Sequence, residues 1–428
     1  FHLGGPLFAN PCGTPELREI FDEEGYIDRF LAFEAALARA EAAEGLVPEA
    51  AAEEMTERAS VDYVDTDAVA ANLAEQGLLS MSIIDAWKEN LDVASEYVHW
   101  GATSQDAMDT AVMMQVRDGF DVLMEDVAAI QDLLVDLVTD HADTPMMGRT
   151  HHVHAIPTTF GLKAATWLDE LDRGVERLER ARERVVGQFA GAVGTFASIG
   201  EDGPAVRDRL EAELDVEIPV VWHASRDRFA ELLTAFSTLA STLARIAMQV
   251  LVLNREEIGE LSEGVPKGAV GSSTMPHKRN PKKAETVVGL ARLLRGNAHV
   301  MSEVMETFDE RSASTWYVEF AVVPESFLYV GRSVANFRAL LESLEVDAAA
   351  MRENLTVHGS LVASEPIMMA LAEELGRQTA HRVVYDHAMA AATSKSSFLE
   401  LLRDDERVLD ALGETRLERL ADPTDYTG

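Results

Sequence analysis

The eleven residues Gly271 to Pro281, GSSTMPHKRNP, set two serine hydroxyls beside His277, Lys278 and Arg279, in a stretch punctuated by glycines at 264, 268 and 271. A serine hydroxyl is a poor base until its alkoxide is stabilised, and backbone N–H groups with a nearby ammonium are the means available here. Abstraction of a proton next to a carboxylate is chemistry of this kind. It builds a dianionic aci-carboxylate, so cations and N–H or hydroxyl donors must sit where the charge develops. Thr103, Ser104, Arg149, Thr150, Lys278 and Asn280 are suitable donors. A phosphate-binding P-loop fits less well: it needs Gly-Lys-Ser/Thr in that order after a strand, and here the order is reversed and a helix precedes. A solvated turn explains any two of these residues but not the whole string.

His151, His152 and His154 form a second cluster. Histidine clusters bind zinc, but no Cys, Asp or Glu lies at short ligand spacing and Arg149 beside them repels a dication, so no metal is expected. Ser272 with His151 and Glu285 also reads as a Ser-His-acid triad, although hydrolase turns of the G-x-S-x-G kind are missing from the sequence.

The Gly271–Pro281 string, together with HWGATSQDAMDT (His99 to Thr110) and MGRTHHVHAIPTTFG (Met147 to Gly161), resembles the signature segments of the fumarase/aspartase superfamily, and the likeness covers essentially the whole chain. The resemblance implies an all-α homotetramer whose long central helices form a common bundle, with each active site assembled from three subunits. It implies Ser272 as the proton-abstracting base, with Lys278 and Asn280 as the lysine and asparagine of the loop. It implies His151 as acid or proton shuttle, with Glu285 as its carboxylate partner. His99, Thr103, Ser104, Arg149, Thr150 and Asn280 then bind substrate, a small anionic di- or tricarboxylate, without a metal or organic cofactor.

Two branches share the HKRNP ending, adenylosuccinate lyase and 3-carboxy-cis,cis-muconate cycloisomerase. The lyases usually carry Arg-Tyr-Ser near the start and Arg-His-Asp ahead of the second signature, where this chain has Cys12-Gly-Thr-Pro and Gly77-Leu-Leu-Ser. LFANPCGTPELREIF, FEAALARAEAAEGLVP, WHASRDRFAE and Trp316-x-x-Glu319 are instead similar to the cycloisomerase. Opening a lactone expels a carboxylate with a pKa of about 4, which leaves unprotonated, whereas expelling an amine needs an acid. The resemblance therefore favours a cycloisomerase-like enzyme, with a fumarate-releasing lyase on a succinylated amine as the alternative.

The elements that must hold these segments are helices. Leu168, Leu171, Val175 and Leu178 recur at helical spacing with charged residues between them, and similar patterns run through 27–43, 111–138 and 334–344. Phe229–Leu253 is apolar almost all round, with Glu231 and Arg245 interrupting it and Asn254-Arg-Glu-Glu continuing the helix. That pattern suits the centre of a large bundle better than a membrane span. The best strand signal is Ile218–Val221, and 201–219 and 264–271 read as loops. The fold class is all-α, in three parts: an N-terminal helical domain 1–97, a central long-helix bundle 98–345 and a C-terminal helical domain 346–428.

Composition narrows the setting. The 428 residues carry 37 Lys+Arg against 74 Asp+Glu, a net charge of −37, and one cysteine. Such a surface repels phosphate backbones, so no nucleic-acid role is expected without a local basic patch, and the lone Cys12 with no leader-like opening points to the cytoplasm. Lysine is nearly purged. The survivors are Lys88, Lys163, Lys267, Lys278, Lys282, Lys283 and Lys395, four of them within 267–283. Excess carboxylates with few ammonium stems read as adaptation to concentrated salt, with one place kept cationic for an anion.

Overall fold

The computed structural model describes residues 11–264, 275, 277–394 and 396–428. The fold is all-α, as the periodicity predicts. Its helices include α1 (Glu23–Ala43), α2 (Ser104–Asp140), α3 (Phe160–Arg182), α4 (Gly203–Leu214), α5 (Asp227–Leu253), α6 (Lys282–Glu303), α7 (Ala313–Glu342) and α8 (Ala348–Asn354), with further helices between and after them. Local chemistry sets their ends. Asp22 caps α1 by accepting the Gly25 N–H at 2.7 Å, and Glu23 and Glu24 sit in its first turn, where the helix dipole favours anions. Two small antiparallel pairs complete the described fold: β1 (Pro145–Thr150) with β2 (Val153–Thr159), and β3 (Leu261–Glu263) with β4 (Leu344–Val346).

The chain divides into two compact units. The first takes the described residues up to Ala128, with Arg173–Ala244 and Thr286–Asn336. Its core joins Phe30, Phe33, Ile83 and Trp87 on one side, and on another a ring cluster in which Phe327 meets Phe21, Phe120 and Phe236 at 4.4, 6.0 and 4.8 Å. Gly119 faces this cluster because a Cβ there would meet Phe21 and Phe327 carbons at 2.8 Å. The second unit takes Ala129–Asp172, Arg245–Glu285 and Phe337–Gly428. Its core gathers Ile367, Leu371, Val383, Phe398, Leu402 and Leu417, with a smaller cluster of Met147, Leu355 and Val362.

Three local expectations are corrected. Ile218–Val221 is not a strand: the Ile218 N–H donates to Glu211 and the Trp222 N–H to Gln188, so side chains take the backbone groups that a neighbouring strand would. Within 201–219 lies α4, opened by Pro204 in its first turn and buried along Val206, Leu210 and Leu214, a stripe of one apolar residue per turn that the surrounding charge obscures. Helix α5 ends at Leu253 rather than continuing, and the Glu260 N–H turns back to the Leu253 carbonyl at 3.0 Å. By length and composition α5 could cross a membrane, but 56% of its most apolar window is buried in the fold. Met248 and Val252 remain exposed on it.

Candidate active site

In the first unit the segment His99 to Thr110 enters α2 with Thr103 and Ser104 at the helix start, both partly buried. Asp106 organises this entry. Its carboxylate accepts the N–H groups of Thr103 (3.1 Å), Ala190 (3.3 Å) and Gly191 (2.9 Å) and contacts His223 Nε2 at 2.8 Å. One turn on, Asp109 is gripped by Arg226 through Nη1 and Nη2 at 2.8 and 2.9 Å, and Arg226 also forks onto Glu319 at 2.6 Å through Nε and Nη2. Burial works against the guanidinium's charge, and the two carboxylates more than offset it, so Arg226 stays ionised. Gln105 and Gln188 each donate to Asp109, at 3.1 and 2.6 Å.

His99 sits four residues upstream of Thr103 with φ +60. Its Nδ1 lies 2.7 Å from Oε1 of Glu34, whose side chain has no exposure. Burial alone lowers the imidazole's pKa, but the Glu34 carboxylate outweighs it and holds His99 above its ordinary value, with a smaller push from Asp106.

In the second unit, β1 and β2 carry the MGRTHHVHAIPTTFG segment. Thr150 pairs with Val153, so His151 and His152 are the two residues of the hairpin turn, at φ +49 and +67. Positive φ at both central positions is the geometry of a two-residue hairpin turn that usually demands Asn or Gly, and side chains held there mark a position fixed against its own preference. The register slips between Met147 and Arg149, where Gly148 passes Ile156 so closely that a Cβ would lie 2.6 Å from its carbonyl oxygen. Thr150, His151 and His152 are exposed. Arg149 reaches instead into the unit, where Nη1 and Nη2 lie 2.9 and 2.6 Å from the buried Glu260 carboxylate, which also accepts from Asn354 of α8 at 2.8 Å. His154 packs edge-on to His358 at 5.2 Å, and burial followed by the Arg149 charge lowers its pKa.

Of the loop residues, Ser272 lies outside the described residues. Lys278 is exposed, Asn280 is partly buried, and Glu285 is exposed in the first turn of α6. No hydrogen bond or ion pair joins His151 to Glu285 among the described residues. Lys283 is held internally, its Nζ 3.4 Å from Glu263 and 3.2 Å from both the Gly264 carbonyl and Ser343. Among the described residues no three His, Cys, Asp or Glu side chains are grouped as metal ligands would be.

Sequence reasoning passed over Glu34, Glu41, Asp106, Asp109, His223, Arg226 and Glu260, and gave Glu319 no role in the site. Most of them lie within segments it had read for other reasons. Asp106 and Asp109 fall in HWGATSQDAMDT, His223 and Arg226 in WHASRDRFAE, and Glu34 and Glu41 are two acids seven apart in an otherwise Ala/Leu-rich helix.

The family model described as Lyase matches residues 12–296, and the one described as Adenylosuccinate lyase C-terminus matches residues 360–428. The chain is 37% identical to the N-acetyl-S-(2-succino)cysteine lyase of Enterococcus italicus over 99% of its own length and 93% of that protein. It is 38% identical to the adenylosuccinate lyase of Pyrococcus horikoshii over 97% and 93%. The crystal structure of 3-carboxy-cis,cis-muconate lactonizing enzyme from Pseudomonas putida superposes with a TM-score of 0.93 at 35% identity, covering 99% of this chain and 96% of that one. With HWGATSQDAMDT and MGRTHHVHAIPTTFG on this all-α fold, the chain belongs to the lyase family of the fumarase/aspartase superfamily and is an enzyme.

Proposed function

We propose that this enzyme interconverts a carboxymuconate and its lactone. A carboxylate of the substrate adds to the diene carbon or leaves it, while Ser272 or its loop moves the proton on the carbon beside another carboxylate. The observation that carries this reading is the His151–His152 turn. It presents an imidazole at a hairpin tip, and such a group suits a reaction whose leaving group needs no strong acid. Lys278, Asn280, Thr103, Ser104, Thr150 and His99 are the donors assigned to the substrate's charge. Arg149, tied to Glu260, acts by fixing the hairpin.

The sites complete themselves in a homotetramer working in a salt-rich cytoplasm. The exposed apolar residues of the long helices, among them Val135, Met248, Val252, Leu293 and Val300, support that assembly. A second reading rests on the 37% identity to a lyase acting on a succinylated thiol. A thiolate, with an ordinary pKa of about 8.5, also leaves with less acid assistance than an amine.

The test is an ultraviolet assay of purified protein in molar salt against 3-carboxy-cis,cis-muconate, adenylosuccinate and N-acetyl-S-(2-succino)cysteine in parallel. Loss of the diene absorbance with the first, at a kcat/KM above the other two, is expected, and Ser272→Ala should cut that turnover at least about 10²-fold while Ser273→Ala does not. Fumarate release from either succinyl compound, with the muconate untouched, overturns the cycloisomerase reading.

A further inference from the structure

Glu34 and Glu41 lie seven residues apart on α1, hence on one face, and both are 1% exposed. Glu34 meets His99 through Oε1, while its Oε2 has no hydrogen-bond partner. Neither carboxyl oxygen of Glu41 has one. Glu41 lies under the same turn: a Cβ on Gly101, two residues beyond His99, would come within 3.4 Å of its Oε1. No Lys or Arg pairs with either glutamate among the described residues. The site therefore holds two carboxyls and one imidazole, and two adjacent anions in so dry a place cannot both be balanced by a single cation.

We propose that Glu41 is the neutral acid of this pair and Glu34 its lone anion, and that Glu34 is the positioning residue that keeps His99 an imidazolium, with Nε2 turned to a substrate carboxylate. The polycarboxylate rests on the function proposed above; the charge state of His99 does not. Three features support the assignment. The imidazole donates Nδ1–H to a carboxylate, which fixes Nε2 as the free end of the ring. His99 keeps a backbone conformation at φ +60 that a non-glycine residue adopts at a cost, and it does so while its ring meets Glu34 at 2.7 Å. Burial, and then the neighbouring Glu34, push the Glu41 carboxyl up to about 9. The acidic groups that act on the imidazole are Glu34 and Asp106, and the Asp106 charge is already shared among His223 and three backbone N–H groups.

The experiment is hydrogen–deuterium exchange at the histidine C2 position, followed by mass spectrometry, on the intact protein in molar salt across pH. It reads the titration of His99 without any substrate. Wild-type His99 should titrate above an ordinary imidazole. Glu34→Gln should bring that midpoint down, and Glu41→Gln should leave it in place. With 3-carboxy-cis,cis-muconate, Glu34→Gln should raise KM roughly ten- to a hundred-fold at pH 8, the range for a lost charge-assisted contact, with kcat changed less and KM recovering toward pH 6. A wild-type midpoint at or below the ordinary value overturns the proposal, as does a fall in Glu41→Gln equal to that in Glu34→Gln. Should Glu34→Gln fail to fold, the wild-type and Glu41→Gln titrations still decide it. A failure of the muconate assay with these titrations intact rejects the substrate reading alone.

Discussion

The guanidinium of Arg149 meets both oxygens of Glu260, at 2.9 and 2.6 Å, and Glu260 has no exposure at all. Such a pair is worth little as stabilisation, but breaking it from one side is costly, because a buried charge is left alone. Arg149→Met should therefore lower stability by about 3–5 kcal/mol, seen as a depressed melting temperature, and Glu260→Gln in the same chain should restore part of it. Arg149→Lys keeps the charge without the fork and should fall between them. Equal melting of Arg149→Met and wild type would show that Glu260 is not carrying a charge.

The hairpin turn yields a prediction that separates two neighbours. His151 and His152 both have positive φ, and only His151 is assigned a chemical role. His152→Gly should leave activity within a few-fold and raise stability by up to about 1 kcal/mol, the left-handed penalty less glycine's entropy. His151→Gly should give the same thermal gain and lose turnover. Matching activities in the two variants would remove His151 from the mechanism.

Stability should depend on pH through Glu41. Its folded pKa, up to about 9, lies above that of the unfolded chain, so the folded state holds a proton that the unfolded state has released. That contribution is fully present below the unfolded value, about 4.5, and is lost as pH rises through about 9. Over that window the slope is about 1.4 kcal/mol per pH unit. Glu41→Gln removes it. Melting curves of both proteins between pH 5 and pH 9 should diverge, with the variant gaining on wild type as pH rises, and parallel curves would place Glu41 among ordinary carboxylates.

Assembly should answer to salt. In the proposed tetramer four chains at −37 each would repel across their interfaces, and the Debye length grows from about 3 Å at 1 M to about 30 Å at 0.01 M. Light scattering and melting across that series should show a tetramer in molar salt that dissociates or unfolds on dilution, with activity lost alongside. A tetramer fraction and melting temperature that stay flat would refute the proposed salt adaptation.

The sequence made the helices legible because each carries its own evidence in a local stripe: α1, α3 and α5 could be read from apolar spacing alone. The β1–β2 hairpin could not. Its turn is His-His where Asn or Gly would announce it, and Gly148 is a bulge glycine rather than a turn glycine. The same limit governs the site. Arg149 and His151 were nameable by type, but the partner that holds Arg149 is 111 residues away, that of His99 is 65 away, and Asp109 and Arg226 are 117 apart. No periodicity records such pairings. The loop around Ser272 stands as the sequence left it, since Ser272 lies outside the described residues.

The contacts of Arg226 with Asp109 and Glu319 divide the molecule's charges into two populations with different environments. Surface carboxylates are reached by dissolved ions, whereas a side chain with no exposure, held at 2.6–2.9 Å from its partners, leaves no room for a counterion between them. Ionic strength is thus a dial on only one population. It can set whether chains associate and stay dissolved while leaving the helix entry at Thr103 and Ser104 oriented as before. Internal aim and external solubility can therefore change independently, through different residues.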